Sequence, residues 1–194
     1  MSWQGKILRI NLTSGELTPE PLNMEWANDY IGERGLATKY LWENMDPKAD
    51  AMSPDNALIF ATGPLTGTNA STSGRYAVVT KGPLTGAIAC SNSGGKFGAE
   101  LKYAGFDLLL IEGRSEKPVY LLIEGDEISL VSADKICGKT VWETDAWIKK
   151  QHHNPMLKIA TIGVAGARGV RYAAVVNDLH RAAGRSGVGT VMGS

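Results

Sequence analysis

The segment Ala57-Leu58-Ile59-Phe60-Ala61-Thr62-Gly63 decides the fold, because the chain returns to its pattern at Leu157-Lys158-Ile159-Ala160-Thr161-Ile162-Gly163. Both are short apolar runs that end on a glycine, which is typical of buried strands that enter a turn. Each is followed by a glycine-containing loop and then by a predicted strand that begins Arg-Tyr-Ala, at residues 75–79 and 171–176. Self-similarity of this kind predicts an internally duplicated fold.

The segments that precede these runs correspond as well. The matching ranges are 6–18 and 119–131 for a predicted hairpin, and about 24–44 and about 141–150 for a predicted helix. Gly32 and Gly35 are expected to interrupt the first helix, because glycine is a poor helix former. In the second helix, Trp142, Ala146 and Trp147 are expected to face inward, although the two tryptophans could instead face domains beyond this chain.

A closing strand at residues 107–112 completes the first copy, whereas the chain reaches Ser194 before an equivalent strand in the second. A sheet without its last strand leaves unpaired backbone groups at its edge, so we expect the chain to be part of a longer protein. The predicted fold is a single α+β domain over residues 1–194, built from two mainly antiparallel sheet repeats that each carry a helix. Repeat one covers about 1–113 and repeat two, which is incomplete, about 114–194.

Composition limits the function. Lys plus Arg and Asp plus Glu both number 20, so there is no global field to attract nucleic acid or an anionic membrane, and any anion site must be local. Cys90 and Cys137 form no CxxC pattern, which argues against a disulfide framework, a zinc site or an iron–sulfur site within this chain. No apolar run reaches membrane-spanning length and no leader follows Met1, so a cytoplasmic location is expected.

Each copy has a glycine cluster after its Arg-Tyr-Ala strand, and this cluster could contact an anion. The clusters are Ser91-Asn92-Ser93-Gly94-Gly95 and Gly184-Arg185-Ser186-Gly187-Val188-Gly189. Glycine has no Cβ and permits positive φ, so backbone N–H groups can approach a ligand closely. Arg75 and the segment His180-Arg181 place guanidinium groups nearby in sequence, and such groups bind phosphate through two hydrogen bonds. Two matching loops near a pseudo-twofold axis predict a two-lobed, phosphate-bearing ligand.

Other interpretations remain open. Residues 133–140 resemble a relaxed P-loop, but alanine replaces its first glycine. Residues 163–169 suggest a dinucleotide-binding turn, yet a strand rather than a helix is expected after it. The glycines could also serve only as turns, in which case the chain would be a non-catalytic binding module for a phosphorylated ligand or a partner domain.

The chain resembles the first domain of the aldehyde:ferredoxin oxidoreductase family. The resemblance rests on Phe60-Ala61-Thr62-Gly63-Pro64-Leu65-Thr66-Gly67, on Ser73-Gly74-Arg75-Tyr76, and on the clusters at 91–95 and 180–187. It extends over essentially the whole chain. This chain departs from the family at Gly32-Glu33-Arg34-Gly35, where Gly-Gly-Arg-Gly is usual.

The resemblance implies a cofactor in which two pterin dithiolenes hold tungsten or molybdenum, with no protein ligand required, and a magnesium ion bridges the pterin phosphates. The implied phosphate and pterin contacts are Arg75, Asn92, Ser93, Gly94, Arg181, Ala182, Gly184 and Arg185. Backbone carbonyls of Asn92 and Ala182 are the implied magnesium contacts, and a hard cation prefers oxygen ligands.

For the complete protein, the resemblance implies oxidation of aldehydes to carboxylic acids, with electrons passing through a [4Fe–4S] cluster to ferredoxin. The cysteines for that cluster and the acid/base residues belong to later domains of the family. The implied partners are therefore those downstream domains and a ferredoxin, and this chain alone is expected to be inactive.

Overall fold

The computed structural model describes residues 3–194 and has a mixed α+β fold. Its first half contains β1 (Lys6–Asn11), β2 (Glu16–Pro21), α1 (Met24–Tyr30), α2 (Glu33–Asn44), β3 (Ala57–Thr62), β4 (Tyr76–Lys81), β5 (Ile88–Ser93), α3 (Phe97–Tyr103) and β6 (Leu108–Glu112). The strands form one six-stranded sheet in the order β2-β1-β6-β3-β4-β5. Neighbouring strands are antiparallel except for β1 and β6, which are parallel.

The central strands are covered on both faces. Every residue of β3 is buried, which explains why its sequence is a continuous apolar run without alternation. Ile59 faces Leu36 of α2 on one side, while Phe60 and Tyr76 face Leu101 of α3 on the other. Each such fully buried aliphatic or aromatic side chain contributes about 1.5–3 kcal/mol relative to exposure.

The second half of the chain forms smaller sheets. It contains β7 (Val119–Glu124), β8 (Glu127–Ser132), α4 (Val141–Gln151), β9 (Ala160–Thr161), α5 (Gly163–Ala167), β10 (Val175–Asn177), β11 (Arg181–Ala183) and α6 (Val188–Met192). The hairpin β7-β8 is a separate two-stranded sheet, and a three-stranded sheet has the order β11-β10-β9. Val175, Ala183 and Val188 pack into the same core as Phe60 and Tyr76, so the two halves share a hydrophobic core.

The predicted α+β class is confirmed. Much of the order of elements recurs, since β9, β10 and β11 follow a hairpin and a helix as β3, β4 and β5 do. The two halves nevertheless build sheets of different size, and the internal duplication stays a prediction. None of the helices within residues 3–194 is long and apolar enough to cross a membrane.

The predicted break is present at Gly32, between the end of α1 and the start of α2, but Gly35 lies within α2 and does not interrupt it. A Cβ at Gly32 would lie only 2.9 Å from the Trp3 ring and 3.0 Å from the Cα of Gly63. The backbone at Gly32 is therefore packed too closely against these residues for a larger residue to fit. Trp147 packs against the buried Ile148 cluster as expected, but the inward prediction is wrong for Ala146 and for Trp142, which is 57% exposed. The buried stripe of α4 is set instead by Thr144 and Ile148, which lie one turn apart.

The second Arg-Tyr-Ala segment is not a strand over 171–176; only Val175–Asn177 pair. The backbone before Val175 pairs with a helix instead of a strand, since the N–H of Gly189 in α6 donates to the carbonyl of Ala173. A Cβ on Gly189 would overlap the carbonyl of Ala174. This close approach of α6 takes the place of a strand partner. The short helix α5 after Gly163 was also not expected.

Candidate functional site

The two glycine clusters lie at the ends of neighbouring strands. We define the first loop as residues 94–96, which follow β5, and the second loop as residues 184–187, which follow β11; β5 and β11 are in contact. The Ser91 hydroxyl donates to the carbonyl of Gly184 at 2.7 Å, and the Ser186 hydroxyl donates to the carbonyl of Cys90 at 3.2 Å. The structure therefore brings together two loops that are distant in sequence.

The fold itself does not account for Gly94 and Gly184. Neither has a positive φ. A Cβ on Gly94 would have nothing within 4 Å, and one on Gly184 would meet only the Cβ of Ala174 at 4.0 Å. By contrast, a Cβ on Gly95 would overlap a carboxylate oxygen of Asp178, and one on Gly187 the carbonyl of Arg171. The absence of side chains at Gly94 and Gly184 leaves open backbone that a ligand can approach.

The residue after each of these glycines has a left-handed backbone. Gly95 has φ +94° and Arg185 has φ +71°. Turns of this kind direct successive N–H groups into a concavity that suits an anion. For Arg185, which has a Cβ, the conformation costs about 1–3 kcal/mol, and strain of this kind is often found at functional sites.

The predicted cationic residues are exposed beside the loops. Arg75, Arg181 and Arg185 all have exposed side chains. The Nη1 of Arg75 donates to Oδ1 of Asn92 at 2.7 Å, so the side chain of Arg75 is held against the exposed side chain of the adjacent strand. Guanidinium groups in such positions can pair with phosphate in a bidentate manner.

The remaining predicted site residues lie on the last residues of the two strands. Asn92 of β5 and Ala182 of β11 are exposed. Ser93 is buried, and its hydroxyl donates to Oδ1 of Asn177 at 2.7 Å. Any contact of Ser93 with a ligand on the exposed side would therefore fall to its backbone.

An acidic side chain lies close to the cationic cluster. Burial raises the pKa of the Glu33 carboxyl, while the nearby Arg75 and Arg34 oppose that shift. Glu33 has φ +43°, a left-handed backbone conformation that favours glycine. Its carboxylate lowers the net positive charge available around Arg75.

Cys90 lies on the same side of the sheet as this cluster. It packs with the core under α2, and burial raises the pKa of its thiol, against the opposing effect of Arg34. A raised pKa keeps the thiol protonated at neutral pH, so the structure favours the small buried apolar role for this residue.

Sequence analysis missed Asn177, the last residue of β10, and Asp178, which follows that strand. Asn177 is 1% exposed and joins β4, β5 and the first loop through its side-chain amide. Asp178 accepts a hydrogen bond from the N–H of Lys96 at 2.6 Å. In the sequence an Asn-Asp pair after an apolar run indicates only a turn, and nothing in the spacing points to the other half of the chain.

The segment that resembles a P-loop serves the fold rather than this site. In residues 133–140, Ala133 and Ile136 are buried, and the Thr140 hydroxyl accepts from the N–H of Glu143 in a capping box of α4. His152, which with His153 could have suggested metal binding, instead contacts the phenol of Tyr120 at 2.7 Å. Within residues 3–194, no group of three or more His, Cys, Asp or Glu side chains is arranged to hold a metal ion.

Residues 7–194 match the profile of the family described as "Aldehyde ferredoxin oxidoreductase, N-terminal domain". The tungsten-containing aldehyde ferredoxin oxidoreductase of Pyrococcus abyssi is 55% identical over 190 residues, which are 98% of this chain and 31% of that protein. The aliphatic sulfonate oxidoreductase WOR-like subunit of Pyrococcus furiosus is 32% identical over 208 residues, covering 100% of this chain and 33% of that subunit. The chain thus spans about a third of the length of these curated relatives.

A solved structure extends the likeness to the backbone. The active site complex BamBC of benzoyl coenzyme A reductase, in complex with 1,5 dienoyl-CoA, is similar to this chain with a TM-score of 0.96 and 37% sequence identity. The alignment covers 99% of this chain and 29% of that chain. The named substrates of the three relatives differ, although the aligned domain is similar in all of them.

Proposed function

Because the chain belongs to the aldehyde ferredoxin oxidoreductase family, as its N-terminal domain, we propose that the first and second loops hold a tungsten or molybdenum bis-pterin cofactor by its phosphates. The observation that carries the proposal is the open backbone at Gly94 and Gly184. The fold has room for a side chain at both positions, yet each is glycine. Both glycines lie beside exposed guanidinium groups.

The donor set of the two loops fits two phosphates. The left-handed turns at Gly95 and Arg185 supply backbone N–H groups, and Arg75, Arg181 and Arg185 supply charge-assisted hydrogen bonds. A magnesium ion between the phosphates would take carbonyl oxygens of Asn92 and Ala182, in keeping with the oxygen ligands that this cation prefers. Gly94, Gly184 and the backbone of Ser93 would lie against the pterins.

In the longer protein, the bound cofactor would supply two-electron redox chemistry, by which an aldehyde and water become a carboxylic acid. The two electrons would pass to an iron–sulfur cluster and then to ferredoxin, and the two protons would be released to solvent. The residues of this chain bind and orient the cofactor and neutralise the charge of its phosphates. Downstream domains would provide the cluster and the substrate pocket.

The proposal is tested on the full-length gene product, purified anaerobically, by elemental mass spectrometry and pterin quantification. We expect tungsten or molybdenum with about two pterins per chain. Changing Arg75→Ala together with Arg181→Ala should lower both contents by more than about tenfold, since two charge-assisted contacts are lost. Arg168→Ala, another exposed arginine, is the matched control and should retain the cofactor.

A folded full-length protein that contains neither metal nor pterin would contradict the redox function. The chain would then be better described as a non-catalytic binding module for a phosphorylated ligand or a partner domain. Retention of the full cofactor content by the double arginine variant would instead show that the phosphates bind elsewhere.

A further inference from the structure

We propose that Asn177 and Ser91 are positioning residues, each of which orients a backbone N–H in the loop of the opposite half of the chain. The proposal rests on the proposed function of the two loops as phosphate sites. Neither side chain lies on the exposed side, since Asn177 is 1% and Ser91 8% exposed. Both act on the peptide that follows an open glycine.

Asn177 fixes the first loop through a fully used amide. Its Oδ1 accepts from the Tyr76 phenol at 2.9 Å and from the Ser93 hydroxyl at 2.7 Å. Its Nδ2 donates to the carbonyl of Gly94 at 2.9 Å. A buried amide with its partners satisfied on both sides has a fixed orientation, and the Gly94 carbonyl is therefore held towards the core.

The orientation of that carbonyl determines where the next N–H points. The peptide between Gly94 and Gly95 is trans, and in a planar trans peptide the C=O and N–H point in opposite directions. With the Gly94 carbonyl turned towards Asn177, the N–H of Gly95 points away from it. This is the N–H group that the left-handed turn at Gly95 offers to an anion.

Asp178 reinforces the same geometry. Its Oδ2 accepts from the N–H of Lys96 at 2.6 Å and from Nδ2 of Asn177 at 2.8 Å. A hydrogen bond from a backbone N–H to a carboxylate is charge-assisted and strong. The carboxylate occupies the space that a Cβ on Gly95 would need, so it holds the loop on both sides of Gly95.

Ser91 performs the equivalent task for the second loop. Its hydroxyl donates to the carbonyl of Gly184 at 2.7 Å. The peptide between Gly184 and Arg185 is also trans, so the N–H of Arg185 points away from Ser91. Each half of the chain thereby orients the anion-binding peptide of the other, and the two phosphate sites are set relative to each other.

The test uses the full-length holoenzyme and measures how fast the pterin cofactor is released, together with the electron paramagnetic resonance spectrum of its metal. Asn177→Asp keeps both acceptor contacts but sets a carboxylate oxygen against the Gly94 carbonyl, and it should speed release at least about tenfold. Ser91→Ala removes a single neutral donor and should speed release about three- to tenfold. Both variants should alter the spectrum, because the cofactor is held in a shifted position.

The matched control is Tyr76→Phe, which also removes a hydrogen bond between the two halves of the chain, the one from the Tyr76 phenol to Asn177. The phenol makes no hydrogen bond to a peptide of either loop. It should lower the unfolding temperature while leaving the release rate within about twofold. If Tyr76→Phe releases the cofactor as fast as Asn177→Asp, or if Asn177→Asp and Ser91→Ala both behave like the parent, the positioning proposal is wrong. If Asn177→Asp fails to fold, the release rate of Ser91→Ala is compared with that of Tyr76→Phe, and this comparison decides whether the positioning proposal holds.

The two proposals fail differently. If the variant that lacks both Arg75 and Arg181 loses its cofactor while Asn177→Asp and Ser91→Ala keep theirs, the phosphate sites stand and the positioning proposal alone is overturned. If the arginine variant also keeps its cofactor, the proposed function of the loops has failed.

Discussion

The first and second loops have similar backbones but obtain their positive charge in different ways. In the first loop the left-handed position is Gly95, and the guanidinium comes from Arg75 at the start of the neighbouring strand. In the second loop Arg185 occupies the left-handed position itself. The first arrangement is unstrained, whereas the second places a residue with a Cβ where about 1–3 kcal/mol is lost.

This difference indicates which features the site requires. An open glycine followed by a left-handed residue is present in both loops, whereas the position of the arginine varies. We infer that the backbone geometry defines each proposed phosphate site and that a cation is added wherever the local chain permits it. The comparison can be tested by changing the glycines, the strained arginine and the nearby acid in turn.

The largest effect is expected from filling the open space beside the loops. Gly94→Val and Gly184→Val should each lower the cofactor content of the full-length protein by more than about tenfold, because a β-branched side chain blocks the backbone. The stability of the cofactor-free protein should hardly change, since neither φ is positive and the Cβ positions are open. Elemental mass spectrometry and thermal unfolding measure the two quantities separately.

Gly95→Ala is the control, because it should lower the stability of the cofactor-free protein, which Gly94→Val should leave nearly unchanged. Its Cβ would overlap the Asp178 carboxylate and its φ is left-handed, so the cofactor-free protein should be destabilised by about 1–3 kcal/mol. If Gly94→Val and Gly95→Ala destabilise the cofactor-free protein equally, Gly94 is a structural glycine and the comparison between the loops is wrong.

Smaller effects are expected at Arg185, where one substitution should raise stability but weaken cofactor binding. Arg185→Gly removes the strain of the left-handed position and should stabilise the cofactor-free protein by about 1 kcal/mol. It also removes a guanidinium, so the cofactor should be released about three- to tenfold faster. Thermal unfolding and release kinetics on the same preparations measure both effects. Arg185→Lys keeps the charge and the strain, and a stability gain in that variant would contradict the explanation.

Much of the fold follows from the sequence because its signals are local. The apolar run of β3, the hairpins and the break at Gly32 depend on neighbouring residues, and the structure has them where the pattern indicates. The strand predicted over 171–176 failed for a non-local reason: α6 packs its Gly189 against that backbone. A tertiary contact of this kind leaves no periodicity in the segment itself.

In the candidate site, too, the local features could be predicted from the sequence and the long-range contacts could not. Glycine and arginine clusters can be recognised in the sequence, and the structure places the two loops side by side. Asn177 and Asp178 could not be found, because their partners lie more than 80 residues away, from Tyr76 to Lys96. Likewise, the sequence marks every glycine alike, and only the structure distinguishes Gly94, which is open, from Gly95, which is enclosed.

The smallest effect is expected at Glu33, whose charge lies near Arg75 in this chain. Burial raises the pKa of its carboxyl, so the folded protein holds this proton more tightly than the unfolded chain does. The group therefore favours folding below its unfolded pKa, and that contribution is lost as the pH rises through the raised folded value. At neutral pH the ionised Glu33 is a net cost, which Glu33→Gln should remove.

We expect Glu33→Gln to raise the unfolding temperature of the cofactor-free protein slightly at pH 7, with the gain disappearing as the pH falls towards 4. Because Arg75 is then less neutralised, cofactor release should become slower, by no more than about threefold given the partial exposure of the carboxylate. Glu100→Gln, which neutralises an exposed acid of α3, is the control. A gain for Glu33→Gln that is independent of pH would mean that shape rather than charge is responsible, and that Glu33 does not weaken the cationic side of the first loop.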